Sequence, residues 1–423
     1  MSDEPLRVAH FIHRYPPALG GSESYFWRLS RYLATHGDRV TVFTTTAYDL
    51  NAMWSPRGKC LPSGDSAEEG VSVRRYPLWR AFGQTYFLKA LSLLPMPGWQ
   101  AWTISCNPIA PGMWRDACRI EQHFDVVHAT PFPYTLPLLS ARKLARRLNA
   151  PLVVTPFLHL GDPDDPHDRT RRAFTRPALL NLLSTASRIF VQTERERQAL
   201  LKRGFAAERL TLQGMGVDVE SCTGGDRSLT RAAWAATEPV VGHLANNSVE
   251  KGTVDLLRAA EQAWKEGASF TVALAGPSMP NFERFWQSFG PKDRVRRLGQ
   301  LSEQQKRDFF AGLDFFALPS RNDSFGIVLL EAAANGLPNV GYRAGGIASL
   351  IRHETDGLLV RCGDIDGLAA ALRRLAEEEP TRIRLGEAGR ERANRDFQWD
   401  EKLQLVREIY LALRRSSDEV RGF

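Results

Sequence analysis

The chain has 423 residues, enough for two domains of ordinary size, each with a substantial core. Hydrophobic residues make up 43% and charged residues 24%, values that exclude a disordered chain, and the net charge of +7 favours anionic partners: acidic nucleotides, anionic lipid surfaces or nucleic acid. The five cysteines (Cys60, Cys106, Cys118, Cys222, Cys362) are scattered, odd in number and without a C-x-x-C pair, which argues for a reducing compartment and against a disulfide frame or a zinc site. No run has the length of a membrane-spanning helix and the N-terminus has no signal-peptide layout, so the expectation is a soluble or peripheral, cytoplasmic protein.

In chain order, Leu6–His13 (LRVAHFIH) reads as a first apolar strand. Arg14–Gly21 (RYPPALGG) follows as a loop that Pro and Gly keep irregular, and Ser22 caps a helix with Glu23 in its first turn. Strand, glycine loop and helix form the layout of a doubly wound half with ligand at the strand's carboxyl end, although Gly20-Gly21 is not a G-x-G-x-x-G fingerprint and a plain tight turn accounts for it equally. Helix Glu23–His36 and strand Arg39–Thr45 complete a β-α-β unit, and Ala47–Gly70 reads as a long irregular excursion.

Trp79–Trp102 is aromatic and apolar with few charges. A core insertion accounts for it; an acceptor groove or a membrane-facing patch is the alternative, for which the basic clusters Arg142-Lys143-Arg146-Arg147 and Arg169-Arg171-Arg172-Arg176 suit an anionic lipid surface. Strands Asp125–Ala129, Pro151–Phe157 and Arg188–Thr193 follow, the second leading to His159, a type of position where histidine is usually structural. His128 and His13 are weaker candidates at their own strand ends. Polar residues Glu220–Thr237, with Gly224-Gly225, read as a linker.

The second half opens with strand Pro239–Leu244 and the loop Asn246–Gly252 before a helix, where Lys251 beside a glycine places an ammonium at a helix start. Strands at Phe270–Gly276 and Arg294–Gly299 lead to Phe315–Gly346, FFALPSRNDSFGIVLLEAAANGLPNVGYRAGG. An apolar strand breaks at Pro319-Ser320, a polar turn follows, and Phe325–Asn335 takes helical spacing until Gly336-Leu337-Pro338 stops it. Asp323 before the helix and Glu331 within it stand eight positions apart. Between them Ser324 and Gly326 leave backbone N–H groups at a helix N-terminus, which favours an anion, while a carboxylate such as Glu331 accepts from vicinal hydroxyls such as those of a ribose. Apolar neighbours on nearly every side bury Glu331, and a buried carboxylate needs a partner. The pattern suggests a nucleotide-sugar site.

This stretch resembles glycosyltransferase family 4, retaining enzymes of GT-B fold, whose pattern E-[GS]-F-G-x-x-x-x-E-A-x-A-x-G-x-P followed by G-G is matched here by D-S-F-G-I-V-L-L-E-A-A-A-N-G-L-P and Gly345-Gly346. The first glutamate of the pattern is Asp323, its reach shorter by one methylene, roughly 1.5 Å. The resemblance implies α/β architecture with two doubly wound Rossmann-like domains facing across a cleft. An acceptor-side domain would span 1–218, with helix 397–423 packing back on it, then a linker 219–237 and a nucleotide-sugar domain 238–396. It implies that Gly20 and Gly21 lie against the donor phosphates and acceptor, that His159 (standing further from Thr155 than in the family's T-x-H) sits beside the donor sugar, and that Lys251 (after G-R-x4-K-G) contacts the diphosphate. The Arg of that last pattern is missing, with His243 and Asn247 nearby, and Gly216-Val217-Asp218 resembles the family's N-G-V-D crossover, with Gly214 and Met215 in place of the usual Pro-Asn.

The activity so implied is transfer of a sugar from a nucleotide-diphosphate sugar to an acceptor hydroxyl (glycan, lipid-linked or small-molecule, as in polysaccharide biosynthesis) with retention, by same-face attack in which the leaving phosphate takes the acceptor proton. Catalytic residues would be His159, Asp323 and Lys251. The donor would be held by Gly20, Gly21, Lys251, Ser324, Phe325, Gly326, Ile327 and Glu331, with no metal, no cofactor beyond the donor substrate and no nucleic-acid partner, and with peripheral contact to the inner face of an anionic membrane. Rival expectations are a sugar-nucleotide epimerase, a catalytically silent nucleotide-sugar-binding protein and a pyridoxal-dependent phosphorylase.

Overall fold

The computed structural model describes residues 4–18 and 20–421; Met1–Asp3, Leu19 of the glycine loop, and Gly422 and Phe423 of the expected terminal helix lie outside the described residues. The chain divides into two compact units, one of Met1–Leu158, Arg171–Gln213 and Leu403–Phe423, the other of His159–Thr170 and Gly214–Lys402. The divide therefore falls after Gln213 rather than at residue 218, and His159 is carried by a segment of the second unit.

The first unit holds an eight-stranded sheet of β1 (Arg7–Phe11), β2 (Arg39–Thr45), β3 (Gly64–Glu68), β4 (Val71–Tyr76), β5 (Val126–Ala129), β6 (Leu152–Val154), β7 (Arg188–Val191) and β8 (Leu210–Leu212), in the order β3-β4-β2-β1-β5-β6-β7-β8. Every pairing is parallel except β3 with β4. The inner strands are short apolar runs buried on both faces, as parallel strands covered by helices must be. The excursion 47–70 is more ordered than its composition suggests. It contains the 3-10 turn Leu50–Met53 and the edge strand β3, joined to β4 by Glu69 and Gly70, both at positive φ. GDSAE is exposed and polar, so no apolar alternation marks it as a strand.

The helix Trp399–Arg421 carries the end of the chain, and its residues from Leu403 onward belong to the first unit. Val406 and Tyr410 are fully buried, and Arg407 pairs with the buried carboxylate of Asp38 at 2.7 Å. His128 Nδ1 meets the Tyr410 hydroxyl at 2.5 Å and Nε2 meets Thr155 Oγ1 at 2.8 Å. Burial keeps that imidazole neutral, and His10 adds to the effect.

The second unit is built on β9 (Val240–Leu244), β10 (Thr271–Ala275), β11 (Val295–Gly299), β12 (Phe315–Leu318), β13 (Asn339–Tyr342) and β14 (Gly357–Val360), ordered β11-β10-β9-β12-β13-β14 and parallel throughout. Its core gathers Phe270, Phe282, Phe315, Leu256 and Tyr342 between sheet and helices. Residues 220–237, expected as a linker, are part of this unit. They form the helices Val219–Cys222 and Arg227–Ala233, capped by Asp218 and Asp226. Arg227 and Arg231 both close on Asp314 at 2.7 Å. Polar composition hid them because the second is docked largely by these ion pairs and the first buries little beyond Cys222.

Candidate active site

In the second sheet the chain runs outward from β9 through β10 to β11, then returns to β12 on the other side of β9. The strand order reverses between β9 and β12, and in open α/β sheets the carboxyl ends at such a reversal leave a crevice for ligand. The loop after β9 holds Lys251 and the loop after β12 holds Asp323. Their side chains meet, Lys251 Nζ to Asp323 Oδ2, at 2.6 Å.

Local chemistry fixes both loops. Gly252 lies against Pro319 so closely that a Cβ would collide with the Pro319 carbonyl, and it adopts φ 76°, so only glycine lets Lys251 stand there. The Ser248 N–H donates to Thr253 Oγ1 (3.1 Å), which lies 2.9 Å from His243 Nε2, and His243 Nδ1 lies 2.8 Å from the Ala317 carbonyl. His243 is fully buried, and burial takes its pKa down to about 4, so its neutral ring donates from Nδ1 and accepts at Nε2. His243 thus ties loop to strand and does not stand in for the missing arginine. Asn247 is buried too, donating to the Gly276 carbonyl at 3.0 Å.

His159 joins this pair. Its Nδ1 lies 2.7 Å from Asn322 Oδ1, one residue from Asp323. Burial lowers the imidazole pKa, the Asp323 charge and the Asn322 bond pull it up, and Lys251 pushes it down, leaving it below its ordinary value. For Asp323 burial opposes ionisation, but Lys251, His159 and the Phe325 N–H outweigh it and hold the carboxyl below its ordinary value. At neutral pH the cluster is an ammonium, a carboxylate and an uncharged imidazole. Asn322 was missed in the sequence; its place in the polar turn beside Asp323 was the available signal.

Beyond Asp323 the chain passes through Ser324 and Phe325 to Gly326, at φ 92°, which caps the helix Ile327–Ala334. Gly345 and Gly346 pack on this turn: the Gly346 N–H donates to the Asp323 carbonyl at 2.7 Å, and a Cβ on Gly346 would collide with the Ser324 carbonyl. The Gly345 N–H donates to the Gly161 carbonyl at 2.9 Å, which anchors the His159 segment to the same turn. Glu331 sits inside the helix as its apolar neighbours require, and its side chain is 13% exposed. Its Oε1 pairs with Lys306 Nζ at 2.6 Å. Lys306, from the helix Glu303–Gly312, is a second cation that sequence reasoning missed, since a lysine in a polar helix has no distinguishing pattern.

Gly20 and Gly21 belong to the first unit, where they follow β1 and open the helix Gly21–Thr35. The strand order reverses there between β1 and β5. Glu23 is nearly fully buried, with Arg14 at 2.5 Å, His13 Nε2 at 3.3 Å and Ser22 Oγ at 2.8 Å. Burial disfavours its charge, but His13, Arg14 and Ser22 reverse that and bring its pKa down to about 2. A Cβ on Gly20 would enter the Glu23 carboxylate, which is why a glycine stands there. His13 stacks on Tyr134 at 4.1 Å between ring centres. His128, by contrast, is spent on Tyr410 and Thr155 in the core.

Among the described residues no group of three or more His, Cys, Asp or Glu side chains is placed to hold a metal ion, and no helix is long and apolar enough to cross a membrane. The expected core insertion at 79–102 is overturned. Of its large apolar side chains only Leu88 is buried, and Phe82, Tyr86, Phe87 and Leu93 stand in solvent.

Comparison with known proteins matches residues 20–216 to a glycosyl transferase 4-like domain and residues 227–392 to the glycosyl transferases group 1 family. The sulfoquinovosyl transferase SQD2 of Arabidopsis thaliana is 26% identical over 411 residues, 94% of this chain and 71% of the relative. The D-inositol 3-phosphate glycosyltransferase of Xylanimonas cellulosilytica is 27% identical over 415 residues, 92% of this chain and 91% of the relative. Sucrose-phosphate synthase from Thermosynechococcus elongatus shares the fold, with a TM-score of 0.73 at 21% identity over 97% of this chain and 99% of that one. Anabaena HepE, in complex with UDP and glucose, superposes with a TM-score of 0.71 at 19% identity over 96% and 100% of the two chains. With its paired Rossmann-like units and both family matches, the chain belongs to glycosyltransferase family 4 and is a glycosyltransferase of GT-B fold.

Proposed function

We propose that the protein transfers a sugar from a nucleotide-diphosphate sugar to an acceptor hydroxyl on a glycan, a lipid-linked molecule or a small molecule, with retention of anomeric configuration. The observation that carries this reading is the meeting of Lys251, Asp323 and His159 at the strand-order reversal of the second sheet. Lys251 and the first amides of the helix Ile327–Ala334 neutralise the diphosphate as it leaves, a role that positive charge and a helix N-terminus both serve. Asp323 takes a hydroxyl of the donor sugar, neutral His159 lies beside that sugar, and Glu331 accepts from the ribose. The acceptor attacks from the face the diphosphate leaves, and the leaving phosphate takes its proton, so no side chain is required as base. Solved structures of the same fold, described as complexes with UDP, with UDP-glucose and with ADP and acarbose, support a nucleotide-linked donor. We place the reaction in the cytoplasm, in polysaccharide synthesis, with the enzyme touching the inner face of the membrane.

A panel of UDP-, GDP- and ADP-sugars tests this. One donor should raise the melting temperature and release nucleoside diphosphate when acceptor is present, and the anomeric proton coupling of the product should match that of the donor. A product of inverted configuration would refute the same-face mechanism. Turnover of the donor to an isomeric sugar nucleotide without acceptor would point to an epimerase.

A further inference from the structure

The segment between β4 and β5 leaves an apolar surface uncovered. It is anchored at its ends, the Trp79 N–H donating to the Ile109 carbonyl at 2.7 Å. Between these anchors lie the helices Gln84–Leu91 and Pro97–Trp102. Gln84 and Leu88, one helical turn apart, bury one side of the first helix. Trp99 Nε1 and Gln100 Nε2 donate to the Leu91 and Ser92 carbonyls at 3.0 and 3.1 Å, fixing the second helix to the end of the first. The other side is open: Phe82 is fully exposed, Tyr86 80%, Phe87 65% and Trp79 57%, with Leu93 and Met96 beyond them. The four aromatics alone present roughly 600 Å² of side-chain surface, at the upper limit of the largest patch on an ordinary monomer.

The charge around this surface is one-sided. The helix Pro177–Leu183 packs on Pro97–Trp102, and Thr135–Leu148 packs on both. Residues 77–119, 135–148 and 171–183 together contain eleven Arg and Lys against one acid, Asp116, whose carboxylate is taken by Arg74 at 3.2 Å and the Tyr76 hydroxyl at 2.7 Å. Arg176 caps the helix Pro177–Leu183 and stands close enough to Cys106 to act on its thiol. Exposed aromatic and aliphatic side chains on a segment whose packed neighbours carry mainly cations suit the headgroup–acyl boundary of an anionic bilayer. A second copy of the chain fits poorly, because a two-fold contact would set this cationic surface against itself.

We infer that this surface docks the enzyme on an anionic phospholipid bilayer, the aromatics entering the interface and the surrounding Arg and Lys binding headgroups. The inference rests on the membrane contact proposed above and not on the chemistry of transfer. The test is co-sedimentation of the full chain with vesicles of mixed phosphatidylglycerol and phosphatidylcholine, and of phosphatidylcholine alone, together with the triple variant Phe82→Ser/Tyr86→Ser/Phe87→Ser. The wild type should bind the anionic vesicles at least about tenfold more tightly than the neutral ones, and salt should weaken the binding. The triple variant should lose at least about tenfold of that affinity, while keeping the wild-type melting temperature and nucleotide-induced shift. If the wild type binds anionic vesicles and the triple variant binds equally, this surface is the wrong one although membrane contact stands. If the wild type binds neither vesicle, both statements fail. A concentration-dependent dimer abolished by the triple substitution, without vesicle binding, assigns the surface to a second copy and overturns the inference.

Discussion

The pairing of Lys251 with Asp323 at 2.6 Å sets a problem that a double-mutant cycle resolves. Lys251 is positioned either for the diphosphate or only as the counter-ion of a buried acid. Lys251→Met leaves the Asp323 carboxylate, 14% exposed, without its cation, a loss of about 3 kcal/mol and a drop of roughly 5–10 °C in melting temperature. Asp323→Asn leaves Lys251, 31% exposed and able to turn to water, so its cost is about 1 kcal/mol. The double variant removes both charges and should be less destabilised than the sum of the singles by about 2 kcal/mol. Nucleotide affinity separates the two roles. Titration calorimetry with the preferred nucleoside diphosphate should show a loss of about 10–100-fold for Lys251→Met, the equivalent of one charge-assisted contact. That loss should persist in the double variant. If instead the double variant regains wild-type affinity, Lys251 acts only through Asp323 and the proposed grip on the diphosphate is wrong.

Glu331→Gln keeps the shape of the side chain and removes the charge that meets Lys306; kcat/KM should fall about 10–100-fold with little change in fold, and a variant with unaltered kcat/KM would remove Glu331 from the donor site. Gly346→Ala forces a methyl group into the Ser324 carbonyl and should shift the turn that carries Asp323, raising the KM for donor; unchanged donor kinetics would show the turn to be compliant. Glu196, fully buried in the first unit, has its pKa pushed up by burial to about 8 against an ordinary 4.5. The folded state then holds this proton more tightly than the unfolded chain, so the resulting stability is complete below pH 4.5 and is lost as pH rises through 8. At about 1.4 kcal/mol per unit the loss is on the order of 5 kcal/mol. Glu196→Gln should flatten this pH dependence in urea denaturation between pH 5 and pH 9, and parallel curves for the two proteins would show that the carboxyl is not the source.

The fold and the family were legible because their signals are local. Short apolar runs closed by Pro and Gly mark buried parallel strands, and D-S-F-G-I-V-L-L-E-A-A-A-N-G-L-P occupies one continuous strand–turn–helix. The contacts of the site are a different kind of fact. Lys251 and Asp323 are 72 positions apart, and His159 and Asn322 are 163 apart. Whether their loops meet depends on strand order, which no local pattern records. Knowing that β9 and β12 are neighbours makes the Lys251–Asp323 contact almost unavoidable. By residue type alone each is one charged residue among many, and only the resemblance to the family assigned both to one site.

The two histidines of the second unit show the same limit from the other side. By sequence His243 follows a glycine where the family pattern has arginine, and His159 follows a threonine at unfamiliar spacing. The structure sends His243 inward, to the Ala317 carbonyl and Thr253, and sets His159 against Asn322 beside the Lys251–Asp323 pair. Neither direction is encoded near the histidine itself; each follows from which polar atom the opposing loop presents. Residues 79–102 extend the argument to whole segments. An apolar run states that a surface avoids water, and the covering partner is chosen elsewhere. In this chain the helices packed on the segment carry many cations and few acids. That choice of charge is what turns an apparent piece of core into a surface suited to lipid headgroups.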